Sequence, residues 1–505
     1  MILGEAKELF LTIDAGTTAI KVSALNSAFK IVASENMEYQ LITEGEYITL
    51  PAETYWNYAK QGILAVSQMV GGDCICGITV TSQGETMIPI SEKGKPLHDA
   101  VVWLDGRAGE EAGKIRDIVR EEEFYQKTGI PECNEFCPLS KLLWFKEKRP
   151  QIYAEAKHFL LLEDFLIYKL TGCMVTEKSL MSTTGYFDLE KDCVWNEILQ
   201  SIGISPDKIP PALECGEVVS KIKGEAASEL GINSEAMVIT GAMDQVCGAI
   251  GAGNLSPGMI TETTGTALCI GKTITDTRIN TEFRIPVYRH YKRELRLLLP
   301  VCMTAGIILK WFKDTFCELE KAEAEKNGED VYELLNRLAE QSEPLAGGVI
   351  MLPYLAGSLQ PYHAPEYRGG FLGVGLRSRK EDFVRALMEG VSYMLKENLL
   401  LLEEISKGNG GCIISMGGGA KSDIWCRIKA GVTGMEIHTC GETETASVGA
   451  AMLCGLGLGK YHTLHEAASE QSVKERYRPV KREVKQYKAG YEQYKRLLKG
   501  TIEQK

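Results

Sequence analysis

Two stretches far apart in the chain share one pattern of apolar and polar positions. Leu9, Phe10, Leu11 and Ile13 form a short apolar run, Asp14-Ala15-Gly16-Thr17-Thr18 interrupts it, and Lys21-Val22-Ser23-Ala24-Leu25 resumes it. Downstream, Met259-Ile260-Thr261-Glu262 leads through Thr263-Thr264-Gly265-Thr266 into Ala267-Leu268-Cys269-Ile270. Each reads as a β-hairpin with a Gly-Thr pair in its turn, and two of them half a chain apart point to two copies of one domain plan. Further buried strands are expected at 75–81, 100–104, 237–240, 349–352 and 412–415. Helical spacing is clearest over 381–405, where Phe383, Leu387, Val391, Met394, Leu395 and Leu402 recur, and Ser378 with Glu381 has the pattern of a capping box. The alternation predicts an α/β fold with helices covering mixed or parallel sheets. From Lys474 onward, the Lys-, Arg-, Glu- and Tyr-rich tail reads as a solvated terminal helix.

A chain of 505 residues exceeds one ordinary core, so two domains are expected, 1–250 and 251–505, with the Gly-, Asn- and Pro-containing segment 251–258 as linker. The 44% apolar and 25% charged composition allows a sizeable core in each. A net charge of −12 argues against a nucleic-acid partner, which would be held by excess Lys and Arg. The 15 cysteines form no repeating framework. Cys74/Cys76 and Cys133/Cys137 lack the second ligand pair of a structural zinc site, so free thiols in a reducing cytosol are expected. The N-terminus shows no secretory apolar segment, and no apolar run approaches the roughly 20 residues that span a bilayer. A cytoplasmic protein without a membrane partner is the expectation. The dispersed histidines offer neither a catalytic triad nor a zinc site.

Three segments carry candidate chemistry. The turn Asp14–Thr18 sets backbone N–H groups and hydroxyls beside a carboxylate, an arrangement that can hold anions and a hydrated Mg²⁺. The turn Thr263–Thr266 could supply a matching cradle from the other domain. Gly417-Gly418-Gly419-Ala420, after the strand 412–415, lets a ring or phosphate approach the backbone. Neither a P-loop nor a dinucleotide fingerprint fits there, because Ser415, Ala420 and Ser422 stand where glycines are required. Asp244 follows the strand 237–240 and suits either a reacting group at a strand end or the cap of the helix after it. Ser82-Gln83-Gly84-Glu85-Thr86 and Trp103-Leu104-Asp105-Gly106-Arg107 are polar clusters at strand ends, suited to binding several hydroxyls.

With these residues in view, the chain resembles the FGGY carbohydrate kinases over almost its whole length and in the family's order. The likeness runs from Asp14–Thr18 through Ser82–Thr86, Trp103–Arg107 and Asp244-Gln245 to Thr264-Gly265-Thr266, Gly306 with Trp311, and Gly417–Ala420. Phe136-Cys137-Pro138-Leu139-Ser140-Lys141-Leu142-Leu143-Trp144 is similar to one family signature, departing at Lys148. Arg368-Gly369-Gly370-Phe371-Leu372-Gly373-Val374 opens the second, and Glu444–Ala451 is similar to the closing helix. The resemblance implies two actin-like, RNase H-like domains with the active site in the cleft between them and ATP and Mg²⁺ as cofactors. Asp14, Gly16, Thr17, Thr18 and Lys21 would face the phosphates from the first domain. Gly265, Thr266, Gly306, Gly418, Gly419 and Ala420 would contact nucleotide from the second. Gln83, Gly84, Glu85, Asp105, Phe136, Asp244 and Gln245 would bind the acceptor. Asp244 would be the catalytic base, and Asp14 with Asp244 the metal-holding acids.

The implied partner is a small sugar or polyol, with a homodimer allowed by the resemblance. Gly84 stands where glycerol kinases carry Arg, and Gly84-Glu85 where xylulokinases carry Met-His. The Gln83-Gly84 pair is similar to that of L-xylulose and erythritol kinases, and Trp103–Arg107 to that of xylulokinases. A ketopentose such as xylulose is the first expectation and a polyol such as erythritol or glycerol the second. A nucleotide-driven actin-like machine would lack the acceptor segments, and a sugar-binding regulator would be expected to have lost Asp14 or Asp244.

Overall fold

The computed structural model describes residues 8–275, 283–358, 362, 364–406, 408, 410–471 and 473–502. They group into two compact units. The first holds residues 8–255, 275, 283–297 and 444–471, and the second holds the described residues of 256–274, 298–443 and 473–502.

In the first unit, apolar runs become the strands β1 (Leu9–Ala15), β2 (Ala19–Leu25), β3 (Ile31–Glu38), β4 (Ile75–Ser82), β5 (Val218–Lys221) and β6 (Met237–Ile239). They form one sheet in the order β5-β6-β4-β1-β2-β3. β1 and β2 make the predicted hairpin, while β1, β4 and β6 run parallel. Strand β1 is buried on both faces, as a central parallel strand must be. Helix α1 (Ala52–Val70) covers β2 and β3 through Tyr55, Trp56, Ala59, Ile63 and Val66, an apolar stripe at helical spacing.

The second unit repeats the plan. β7 (Ile260–Thr264) and β8 (Leu268–Ile274) form the second predicted hairpin, and β9 (Cys412–Met416) and β10 (Glu436–Cys440) lie parallel to β7 on its open side. β11 (Val473–Tyr477) closes that edge antiparallel to β10, and the short strand Val301–Cys302 pairs with the far side of β8. A hairpin, a third strand beyond it and two parallel strands on its first arm is the RNase H-like plan of actin-like domains. Among the described residues, no helix is long and apolar enough to cross a membrane. None of the fifteen cysteines forms a disulfide.

Three local expectations are corrected. Only Ala100–Val101 of 100–104 pairs as strand, because the chain turns there: Asp105 N–H donates to Val102 O and the Asp105 carboxylate takes the Ile48 N–H. The helix over 381–405 runs Lys380–Ile405, and its first turn is capped by Asp382 accepting the Arg379 N–H; Ser378 instead takes the Gly375 N–H. The tail is strand β11 and then a helix, Lys481–Ile502, whose Tyr487, Tyr491, Tyr494 and Leu498 are buried. That stripe has helical spacing, and Tyr487 bonds Arg385 and Glu389 on the helix Lys380–Ile405.

In the first unit, helix α2 (Asp244–Gly251) packs against the helix Thr445–Gly457 with their backbones in near contact. A Cβ on Gly449 would lie 1.9 Å from Cys247 O, and one on Gly251 would lie 1.9 Å from Thr445 O. The Gly449→Ala variant should therefore force the two helices apart and destabilise the first unit by about 1–3 kcal/mol, read as a lower urea midpoint.

Candidate active site

The parallel register sets three strand ends side by side. Asp14 lies opposite Thr81 and Ala15 opposite Ser82, and a bridge pairs Ser82 with Met243, the residue before Asp244. Asp14 and Asp244 thus flank the end of β4, about 10 Å apart at the backbone given two strand spacings. The segment carrying Asp244 is pinned at each step. Gly241 N–H donates to Glu163 Oε1 (3.0 Å), Thr81 Oγ1 to Ala242 O (2.7 Å), and Met243 N–H to Ser179 Oγ (3.0 Å). Gly241 passes so close to β4 that a Cβ there would lie 1.9 Å from Val80 O. Asp244 opens helix α2, and its Oδ1 accepts the Gln245 N–H at 2.6 Å.

The acids in this region resist ionisation. Burial pushes the Asp14 carboxyl up to about 6, with Lys21 opposing the shift and Glu444 adding to it. Burial pushes Asp244 up to about 7, helped by the charges of Asp14 and Glu85 and opposed by the Gln245 N–H. Burial likewise pushes Glu85 up to about 7 against the pull of Lys141. Glu85 also sits at φ +61°, in the left-handed region that non-glycine residues avoid.

The hairpin turn is tied to the acceptor segments. Thr17 Oγ1 donates to Gln83 Oε1 (2.7 Å) and accepts the Trp103 indole N–H (3.0 Å), while Gln83 Nε2 donates to Thr86 Oγ1 (3.0 Å). Gly16 N–H closes the turn on Ala19 O (3.0 Å), and Tyr39 OH donates to Gly16 O. Thr18 is exposed at the tip, and the Lys21 ammonium pairs with Glu444. Gly84 abuts Thr183: a Cβ there would lie 3.0 Å from Thr183 Oγ1. Asp105, expected to bind acceptor, is instead fully buried, with Arg107 on both oxygens and the Ile48 N–H on Oδ2. A carboxylate so fully occupied anchors its loop rather than greeting a ligand. Phe136 is exposed, its N–H on Asn134 Oδ1.

In the second unit, Thr264, Gly265, Thr266, Gly306, Gly418 and Gly419 line one cavity of about 420 Å³. Ala420, expected beside them, is not part of the lining, because the turn after Gly419 carries it behind, with its N–H toward Gly417 O (3.3 Å). Gly306 N–H donates to Gly265 O (2.6 Å) at the start of helix α3 (Gly306–Phe316), and Ala305 N–H donates to Thr266 O (2.9 Å). Gly419 is required: a Cβ would lie 2.6 Å from Thr264 Cβ. Helices α4 (Val331–Gln341) and α5 (Asp423–Thr433) also begin at the cavity, capped by Asp330 and Ser422. Several helix N-termini around one cavity favour an anion. Beneath the hairpin, Glu262 bonds Thr264 Oγ1 (2.7 Å), Ser415 and the Lys429 ammonium (2.6 Å), in a fully buried pair.

Sequence reasoning left Lys141, Glu262 and Lys429 out of the site, and gave Trp103 only as part of an acceptor segment. A lysine inside the apolar run Leu139–Phe145 was the available signal for the first. Among the described residues, one trio of carboxylates lies within ligand reach, Glu110, Glu111 and Glu147, and Lys114 and Lys148 already pair with it.

Paired RNase H-like units, with an acid cluster in one and a glycine-lined cavity in the other, make this a protein of the actin-like class. The N-terminal domain of the FGGY family of carbohydrate kinases matches residues 9–251, and the C-terminal domain of that family matches 261–458. A xylulose kinase of Bacillus subtilis (strain 168) is 28% identical over 496 residues, covering 97% of this chain and 96% of the relative. A gluconokinase of the same strain is 28% identical over 480 residues, covering 95% and 93%. The crystal structure of ligand-bound xylulose kinase from Lactobacillus acidophilus superposes with a TM-score of 0.87 at 24% identity, covering 98% of each chain. The chain belongs to the FGGY family of carbohydrate kinases. It is a sugar phosphotransferase, and ATP is the substrate its family uses.

Because Asp244 binds its proton more tightly in the folded protein than in the unfolded chain, its contribution to stability falls as pH rises from about 4 to 7. In metal-free protein, Asp244→Asn should raise the unfolding free energy at pH 8, measured by urea titration, by on the order of a few kcal/mol. The gain should shrink steadily as the titration is repeated toward pH 4.

Proposed function

We propose that this kinase transfers the γ-phosphoryl group of ATP to a hydroxyl of a neutral ketopentose, xylulose being the first candidate. The observation that carries this reading is an acid cluster whose neighbouring cations, among the described residues, are already engaged: Lys141 is buried with its donors on main-chain carbonyls. Asp14, Glu85 and Asp244 already repel one another, Lys21 is paired with Glu444, and Arg107 is paired with Asp105. No side chain projects from Gly84, where a Cβ would press on Thr183 Oγ1 at 3.0 Å. An aldonate such as gluconate would bring its carboxylate into this field, whereas a neutral ketose or polyol offers hydroxyls that carboxyls bind well. Relatives named xylulose kinase and gluconokinase match at equal identity, so the choice between them rests on the charge of the site.

In this reading Gln83 and Glu85 orient the acceptor, and Asp244, poised near neutrality, accepts the proton of the attacking hydroxyl. Gln245 steadies that carboxylate from the first turn of α2. Backbone N–H groups of the turn around Gly16 and Thr17 meet the phosphate end of the nucleotide. In the second unit, Gly265, Thr266, Gly306, Gly418 and Gly419 surround a cavity suited to nucleotide. The Thr17–Gln83 bond links the phosphate turn to the acceptor loop, so correct seating of one favours the other. Mg²⁺ fits the acids present, since Asp14 and Asp244 are both held above their usual range by burial and by negative neighbours. Those two carboxyls would hold it, and when bound it would offset charge on the phosphates.

Asp244→Asn should lower kcat at least roughly a hundredfold while nucleotide affinity stays within about threefold; near-normal turnover would remove Asp244 from the role of base. An ADP-release assay across ketopentoses, polyols and gluconate should show the largest kcat/KM with a ketopentose. Preference for gluconate would overturn the assignment of a neutral acceptor.

A further inference from the structure

The helix Pro138–Lys148 buries Lys141 completely within an apolar stretch. Desolvating an ammonium is costly, so its hydrogen bonds say what it is kept for. Lys141 Nζ lies 2.9 Å from Val102 O, 3.3 Å from Trp103 O and 3.5 Å from Glu85 O. Thus all three donors of one amine go to main-chain carbonyls, two of them within the acceptor segments and the third, Val102 O, directly before one. One of them is on Glu85, whose left-handed backbone must be held from outside. Another is on Trp103, whose indole reaches the Thr17 hydroxyl of the phosphate turn.

We propose that Lys141 is a positioning residue for the acceptor: it clamps the 82–86 and 102–107 segments together, fixes the backbone of Glu85, and so sets the acceptor site without touching the sugar. The proposal rests on the acceptor assignment made above. It separates Lys141 from the other buried cation nearby, Arg107, which serves Asp105 within one segment. Charged groups facing the amine are Glu85, Asp105 and Arg107, with the thiol of Cys137 beside them. A lysine there thus also offsets the acid cluster from below.

The test compares Lys141→Met, which removes every donor, with Lys141→Gln, which keeps an amide, in the full-length enzyme. Loss of hydrogen bonds from a charged donor should raise the acceptor KM about tenfold or more in Lys141→Met, with Lys141→Gln intermediate and KM for ATP within about twofold of wild type. Backbone amides of 82–86 and 102–107 should exchange hydrogen faster in both variants, while those of 9–15 keep their protection. If Lys141→Met fails to fold, Lys141→Gln is read by the same criteria. Equal shifts in both KM values, or unchanged exchange in the two segments, would overturn the clamp. Should wild type turn over no sugar in the panel, the acceptor assignment falls, while the exchange data still decide for or against the clamp.

Discussion

The parallel hydrogen bonding of β1, β4 and β6 brings their C-terminal ends level, so residues distant in sequence at Asp14, Ser82 and Met243 abut. Backbone geometry thereby gathers carboxyls that electrostatics would keep apart. Asp14 and Asp244 are each pushed up by burial and by the negative groups around them, and the protein tolerates this because the segments beneath are tightly pinned. A site built this way is under-neutralised when empty. Under the proposed function, hydroxyl-bearing acceptors and a bound cation would relieve that crowding, turning a cost in stability into binding energy.

Tight pinning has a second consequence. The phosphate turn and the acceptor loops are not independent: Thr17 bonds both Gln83 and the Trp103 indole, and Trp103 O is held in turn by Lys141. A displacement of one element has to be shared by the others, because each hydrogen bond left unmade at a buried position carries the full desolvation cost of its group. Acceptor recognition and phosphate positioning therefore behave as one rigid assembly on the first unit's sheet.

Much of this was legible in the chain and some was not. The two hairpins could be read because the Gly-Thr turns interrupt apolar runs of strand length, and Asp244 because it follows a buried strand. Asp105 was legible as part of a polar cluster, but the sequence does not show that Arg107 folds back onto it. Ala420 was carried along with its glycine neighbours, and only the turn after Gly419 reveals that it leaves the cavity. The tail's tyrosines were hidden by the charges between them, although 487, 491, 494 and 498 follow helical spacing. Lys141 escaped because a lone lysine in an apolar run gives no hint of which carbonyls it will meet.

The two halves share a plan yet do different chemistry, and a one-residue difference in where the acid falls accounts for it. Counting back from the turn glycine, Asp14 lies two residues before Gly16, and the corresponding position before Gly265 is Thr263. The acid of the second hairpin is Glu262, one residue earlier. Successive strand residues point to opposite faces, so that single step turns the carboxylate from the strand-end surface into the core. There Lys429 and Ser415 neutralise it, and it braces the turn through Thr264. The first copy keeps its acid where a ligand can use it, whereas the second spends its acid on rigidity, so that no carboxylate of its own turn faces the glycine-lined hollow, whose rim carries Lys310 and Lys421 as well as Asp330 and Glu333.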